Sequence, residues 1–192
     1  MESVGSRFDA DKLVRQANSL NSVRFKDRTG EIELFGEKAI LLRRDSLKVM
    51  KAEMEKNVGS ATASMIMRMG GRSLGAHEGT LLMKSARNSG LIPDDQDFTF
   101  LAVTLEELNV GFGKIILLGF DPGQNTARLR VENCFEALEN GHASKETCQF
   151  TAGFLEGLFS EILGNKVKAQ EVSCWVNAAS PCEFSLAPPK LS

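Results

Sequence analysis

Residues 144–186 read SKETCQFTAGFLEGLFSEILGNKVKAQEVSCWVNAASPCEFSL, and the changes of pattern inside this stretch decide the fold. A helix is predicted from about Lys145 to Leu163. Ser144 can cap it, Glu146 complements the dipole in its first turn, and Gly164-Asn165 stops it. Two strands follow, Val167–Trp175 and Cys182–Leu186, separated by a loop that ends in Pro181. A helix running into consecutive strands points away from strict β-α alternation and toward an antiparallel sheet.

Upstream the same grouping recurs. Lys114–Phe120 and Ala127–Asn133 read as strands joined by Asp121-Pro122-Gly123-Gln124-Asn125, a strong turn signal. Glu31–Phe35 and Lys38–Arg43 read as a hairpin around Gly36-Glu37. Asp45 can cap a helix carrying Leu47, Met50, Met54 and Val58 at helical spacing. From Gly59 to Arg87 the pattern is helical but crowded with Gly, Ala and Ser, including Gly70, Gly71, Gly75 and Gly79. Such a surface admits another backbone at close range, from a partner subunit or from a neighbouring helix. A weak helix broken at Gly70-Gly71 is the plainer alternative, since each helical glycine costs ~1 kcal/mol. After Pro93-Asp94-Asp95 a Phe/Leu-rich helix is expected from Phe98 to about Asn109. The expected class is therefore α+β, an antiparallel twisted sheet packed against helices. Residues 1–24 read as a leader with a short helix near Asp11–Leu20, and residues 25–188 as one domain.

Bulk properties narrow the function. At 192 residues, 42% hydrophobic and 25% charged, the chain is an ordinary globular domain with one sizeable core. A net charge of -2 leaves no basic footprint for nucleic acid or an anionic membrane. The longest apolar run, Ile115–Leu118, is far short of the ~20 residues a membrane span needs. No secretory signal is read at Met1–Ala10, so a cytoplasmic location is expected, where four cysteines speak for metal or redox chemistry before disulfides. Twelve Phe, one Trp and no Tyr describe an apolar interior with few polar handles.

Three of the four cysteines, Cys148, Cys174 and Cys182, fall in the last quarter of the chain. Cys148 is expected in the first turn of the long helix, where the dipole favours a thiolate. Cys174 and Cys182 stand at the end of one strand and the start of the next. Glu171 is the nearest acid that could complete a tetrahedral set for zinc. On a regular strand residues three apart face opposite sides, so Glu171 and Cys174 require a bulge or a strand end between them. Spacing alone leaves open a second reading, buried thiols acting as small hydrophobes.

Over Val131–Phe184 the sequence resembles the 4-vinyl-reductase domain family, described as predicted hydrocarbon binders. The resemblance rests on Asn133-Cys134-Phe135-Glu136-Ala137, Cys148, Ala152-Gly153, Gly157, Gly164, Glu171-Val172-Ser173-Cys174 and Cys182. The intervals are similar to those of the sensor domains of phenol-responsive activators. That resemblance implies a structural zinc held by Cys148, Glu171, Cys174 and Cys182, with Cys134 left outside the site as an inert buried thiol. It further implies a ligand cavity, for which the apolar candidates are Phe98, Phe100, Leu101, Leu105, Leu108, Phe112, Ile116, Leu118, Phe120, Leu129, Phe150 and Phe154. The same residues would also serve as ordinary packed core.

Phenol-sensing relatives orient the hydroxyl with a His and a Trp, where this chain aligns Val103 and Arg130, so a more apolar or larger ligand is expected. His77 and His142 read as solvated or locally hydrogen-bonded. No Ser/His/Asp grouping, flavin fingerprint or nicotinamide fingerprint is present, and a four-ligand zinc keeps no open position, so no enzyme activity is expected. The reading is a stand-alone small-molecule binding or sensor domain. It would act as a homodimer through the small-residue helix and pass its output to another protein. Two other readings come with the resemblance: an accessory of tetrapyrrole vinyl reduction, and an assembly subunit like those of vesicle-tethering complexes.

Overall fold

The computed structural model describes residues 23–26, 29–34, 37–40, 42–43, 45–88, 105, 113–140, 148–174 and 181–190. Three short strands, β1 (Val23–Lys26), β2 (Glu31–Leu34) and β3 (Glu37–Ala39), form an antiparallel sheet in that order. The expected hairpin is there, with Leu34 opposite Glu37, but its second strand ends at Ala39 rather than Arg43, and β1 is a strand the sequence reading did not foresee. Helix α1 (Ser46–Val58) and helix α2 (Ser60–Asn88) follow, and Gly59 breaks between them at φ 80°. Asp45 occupies the N-cap position of α1 without making the side-chain cap expected of it; its carboxylate turns to Arg43 at 3.3 Å. Of the stripe expected on α1, only Leu47 and Met54 turn inward, onto Met67, Phe135 and Phe150, while Met50 and Val58 face solvent.

Strands β4 (Lys114–Asp121) and β5 (Thr126–Glu132) pair across the expected turn, where Gln124 N–H donates to Asp121 Oδ1 at 3.0 Å. A short helix that the sequence reading did not foresee, α3 (Phe135–Asn140), precedes α4 (Gln149–Leu163). Strands β6 (Lys168–Ser173) and β7 (Cys182–Ala187) complete a second antiparallel sheet in the order β4-β5-β7-β6. The sheet class is as expected, but the strands divide between two sheets. The predicted helix over residues 98–109 lies outside the described residues except for Leu105, which is helical and buried.

Alternation along β5 and β7 sends Ala127, Leu129, Val131, Cys182, Phe184 and Leu186 inward. They meet Leu155, Leu158 and Phe159 of α4, which is buried continuously from Phe150 to Phe159. The opposite face is polar: Arg130 donates to Glu183 at 2.9 Å, across the pair that the register places opposite.

Helix α2 is unbroken through Gly70-Gly71. Its glycines Gly71, Gly75 and Gly79 recur every four residues, hence on one face, and that face lies on α4. A Cβ at Gly75 would overlap the Phe154 carbonyl, and one at Gly71 the Phe150 carbonyl. In return Gly153 and Gly157 of α4 receive the Arg68 and Arg72 carbonyls. The face carrying Gly71, Gly75 and Gly79 is thus filled by the chain's own helix, the second of the two partners expected for it, while Ser60, Ala61, Gly70 and Ser73 remain exposed. No helix among the described residues is long and apolar enough to cross a membrane.

Candidate metal centre

Glu171 and Cys174 meet the condition set by strand geometry. In the β6–β7 ladder Glu171 pairs with Phe184 while Ser173 pairs with Glu183, so Val172 is an extra residue that bulges outward, 55% exposed. The bulge and the end of β6 at Ser173 bring Glu171 and Cys174 to the same buried side. Cys182 opens β7 opposite Val131. Helix α4 starts four residues later than expected: Gln149 is its first residue, and Cys148 takes the N-cap position instead of the first turn, its carbonyl accepting the Ala152 N–H at 2.8 Å. Ser144 and Glu146 lie outside the described residues.

These elements converge. One donor atom from each of Cys148, Glu171, Cys174 and Cys182 lies within 4.8 Å of every other, and all four residues are buried. The Cys148 sulfur is 3.9 Å from that of Cys174 and 3.7 Å from that of Cys182, and the remaining pair is 3.8 Å apart. Sulfurs bound at ~2.3 Å to one tetrahedral ion stand ~3.8 Å apart, so the three edges fit a zinc-sized ion. Glu171 Oε2 accepts the Cys148 N–H at 3.2 Å. Burial, opposed next by hydrogen bonding from Cys148, pushes the Glu171 carboxyl up to about 7.

The surroundings hold two carboxylates whose roles the sequence reading missed. Glu136 of α3 is buried and caps α4 from outside. It accepts the N–H groups of Phe150 at 3.0 Å and Thr151 at 2.7 Å, and the Thr151 hydroxyl at 2.7 Å. Burial holds its carboxyl up at about 7. Glu156, fully buried in α4, takes Arg68 at 2.6 Å, Arg72 at 2.9 Å and the Ala169 N–H at 3.2 Å. Burial opposes its charge, but the bonds from Arg68 and Arg72 prevail and hold it below the usual carboxylate range. Glu156 thereby ties α2, α4 and β6 together. Cys134, expected to be inert, touches the cluster: its sulfur is 3.6 Å from that of Cys148. Cys134 also hydrogen-bonds with Cys182, and its contact with Cys148 is the largest cause pushing the Cys148 thiol up.

The predicted pocket residues scatter. Leu105, Leu129 and Phe154 belong to the main core, with Phe120 half-buried against Phe159, while Phe150 joins the smaller cluster around Met67 and Phe135. Ile116 sits opposite Arg130, on the outer face of the sheet. Leu118 is the bulged residue of β4 and is 39% exposed. Phe98, Leu101 and Phe112, like Phe100, Val103, Leu108 and His142, lie outside the described residues, and His77 is exposed on α2.

Residues 20–115, half of the chain, match the model of the family described as activator of aromatic catabolism. The chain belongs to that family. Residues 127–188, which hold β5, α4 and all four donors, match the V4R domain. Among solved structures, the phenol-responsive sensory domain of the transcription activator PoxR with phenol superposes with a TM-score of 0.73 at 22% identity, covering 94% of this chain and 92% of that one. A trafficking protein particle complex subunit 3 from Naegleria fowleri, covalently bound to palmitic acid, is a more distant neighbour. Its TM-score is 0.51 at 13% identity, covering 77% of this chain and 93% of that one. No curated protein matches.

Proposed function

We propose that the chain is a non-catalytic small-molecule sensor domain whose C-terminal third is stapled by a structural zinc ion on Cys148, Glu171, Cys174 and Cys182. The observation that carries the sensor reading is the extent of the likeness. The family match covers residues 20–115, half of the chain, and the phenol-responsive sensory domain follows the fold over nearly all of it. Zinc rests on the donor chemistry and the sulfur–sulfur edges above. Four protein donors close a tetrahedral shell, so such an ion stabilises the fold and leaves no position for a substrate. The ligand is an apolar small molecule. Arg130, aligned with a hydroxyl-orienting position, is instead engaged by Glu183 on the outer face of the sheet. The working compartment is the reducing cytoplasm, where four free buried thiols persist.

Native mass spectrometry of the purified protein tests this in one measurement, reporting metal, retained ligand and oligomeric state together. One zinc per chain and a mass increment for an apolar molecule are expected; a chain with neither refutes the reading. A thermal-shift panel of phenols, alkylbenzenes and larger hydrocarbons then ranks ligands. The tethering-subunit alternative draws no support from acyl attachment, because the chain has no cysteine before Cys134, and Cys134 is buried against Cys148 of the cluster. A coloured protein would direct attention to the tetrapyrrole alternative.

A further inference from the structure

We propose, on the strength of the metal reading above, that Cys134 is a positioning residue of the metal centre, its S–H donating to the Cys148 sulfur when that sulfur is a metal-bound thiolate. Cys134 is 1% exposed and reaches the site from a segment that supplies none of the four donors. It follows Asn133, whose φ of 53° turns the chain out of β5, and it immediately precedes α3. Its single proton has Cys148 Sγ at 3.6 Å and Thr151 Oγ1 at 3.5 Å in reach, and Cys182 is a further hydrogen-bonding partner that ranks behind Cys148.

Thr151 is not free to rearrange. Its one hydroxyl hydrogen goes to Glu136 Oε2 at 2.7 Å, and Glu136 is itself fixed by the backbone N–H groups of Phe150 and Thr151. Toward Cys134, therefore, Thr151 presents only a lone pair. Between a neutral hydroxyl oxygen and an anionic ligand sulfur, the anion is the stronger acceptor. Cys134 is not a fifth ligand, since its sulfur lies outside the group of mutually close donors. A fourth thiolate would also add an uncompensated buried charge, so beside a loaded site the residue keeps its proton. The hydrogen bond withdraws charge from the Cys148 sulfur and fixes its direction, the service that outer-shell partners render to metal ligands.

The experiment compares wild-type protein with Cys134→Ser and Cys134→Ala. Chelator competition is expected to show zinc affinity falling about 10- to 100-fold in Cys134→Ala, with Cys134→Ser, which retains a donor, close to wild type. In Co(II)-loaded protein the sulfur-to-metal charge-transfer bands shift in Cys134→Ala and hold in Cys134→Ser. Of the four cysteines only Cys134 keeps its hydrogen in the loaded protein. The infrared spectrum is therefore expected to contain one S–H stretch, lowered by hydrogen bonding and absent from Cys134→Ser. Equal affinity and unshifted bands in Cys134→Ala, or a Cys134→Ser as weak as Cys134→Ala, overturn the inference. Should Cys134→Ala not fold, a single S–H stretch at the frequency of an unbonded thiol overturns it. Wild-type protein without stoichiometric metal overturns the underlying reading instead, so the two failures are distinguishable.

Discussion

Replacing Gly75 by alanine sets two effects of opposite sign against each other. Alanine is the better helix former by ~1 kcal/mol, so at an indifferent helical site the change stabilises. Gly75 is not indifferent. The added Cβ would overlap the Phe154 carbonyl oxygen and stand 2.8 Å from its carbon and 3.0 Å from the Leu158 nitrogen. These neighbours are backbone, which has no rotamer to escape into, so α2 and α4 must part by roughly an ångström, the kind of shift that overpacked cores resist. Parting them also loosens the close approaches at Gly71, Gly153 and Gly157 along the same seam. Overpacking of this kind costs about 1–3 kcal/mol, occasionally more, and a contact spread over several turns belongs at the upper end. Subtracting the propensity gain leaves a net loss of about 2 kcal/mol, or roughly 4–8 °C in Tm for a chain of this size. Gly70 is the internal control, since a Cβ there meets nothing within 4 Å. Gly70→Ala is expected to raise stability by about 0.5–1 kcal/mol. Urea denaturation of the two variants beside wild type decides the matter. A Gly75→Ala protein as stable as Gly70→Ala would show that the seam yields freely and that the packing argument is wrong.

Glu156→Gln is expected to cost about 2–3 kcal/mol, less than a fully buried pair because Arg68 and Arg72 can recover some hydration. The folded carboxyl lies below its unfolded value, so the wild-type advantage is full above pH ~4.5 and fades as pH falls through the folded pKa; urea titrations should therefore separate wild type from variant at neutral pH and bring them together at acidic pH. Cys174→Ala is expected to lose the metal and several kcal/mol of stability, since binding a structural zinc contributes directly to folding. Unchanged melting with full metal content by elemental analysis would contradict this. Glu136→Gln turns an amide nitrogen toward donors that need an acceptor and is expected to cost about 1–3 kcal/mol. Hydrogen exchange should locate the loosening at the Phe150 and Thr151 amides, and unaltered protection there would refute the capping role.

What could be read from the sequence was what local patterning controls. The strands of the second sheet and the stop of α4 at Gly164 were legible, because alternation and turn chemistry are local properties; the grouping of Cys148, Glu171, Cys174 and Cys182 was expected from the family resemblance, since their spacing alone left buried thiols open as a second reading. Even the bulge at Val172 was called for by the spacing of Glu171 and Cys174. Partnerships made across the fold were not legible. Arg68 and Arg72 find Glu156 more than eighty residues away, and nothing in either segment names the other. Glu136 looked like part of a motif because α3 is too short to announce itself by periodicity. The glycine seam left a signal that was only half used: the four-residue spacing in α2 has its counterpart in Gly153 and Gly157, and the two together specify a helix pair within one chain.

The seam also bears on how the chain is made. Helix α2 carries the glycines that weaken it in isolation, and its partner α4 is translated about sixty residues later. During synthesis α2 must wait, poorly ordered and with its docking stripe uncovered, until α4 emerges. Pulse proteolysis of ribosome-stalled chains should find residues 60–88 cleavable in nascent chains that stop before residue 149 and protected once residues 149–163 are exposed.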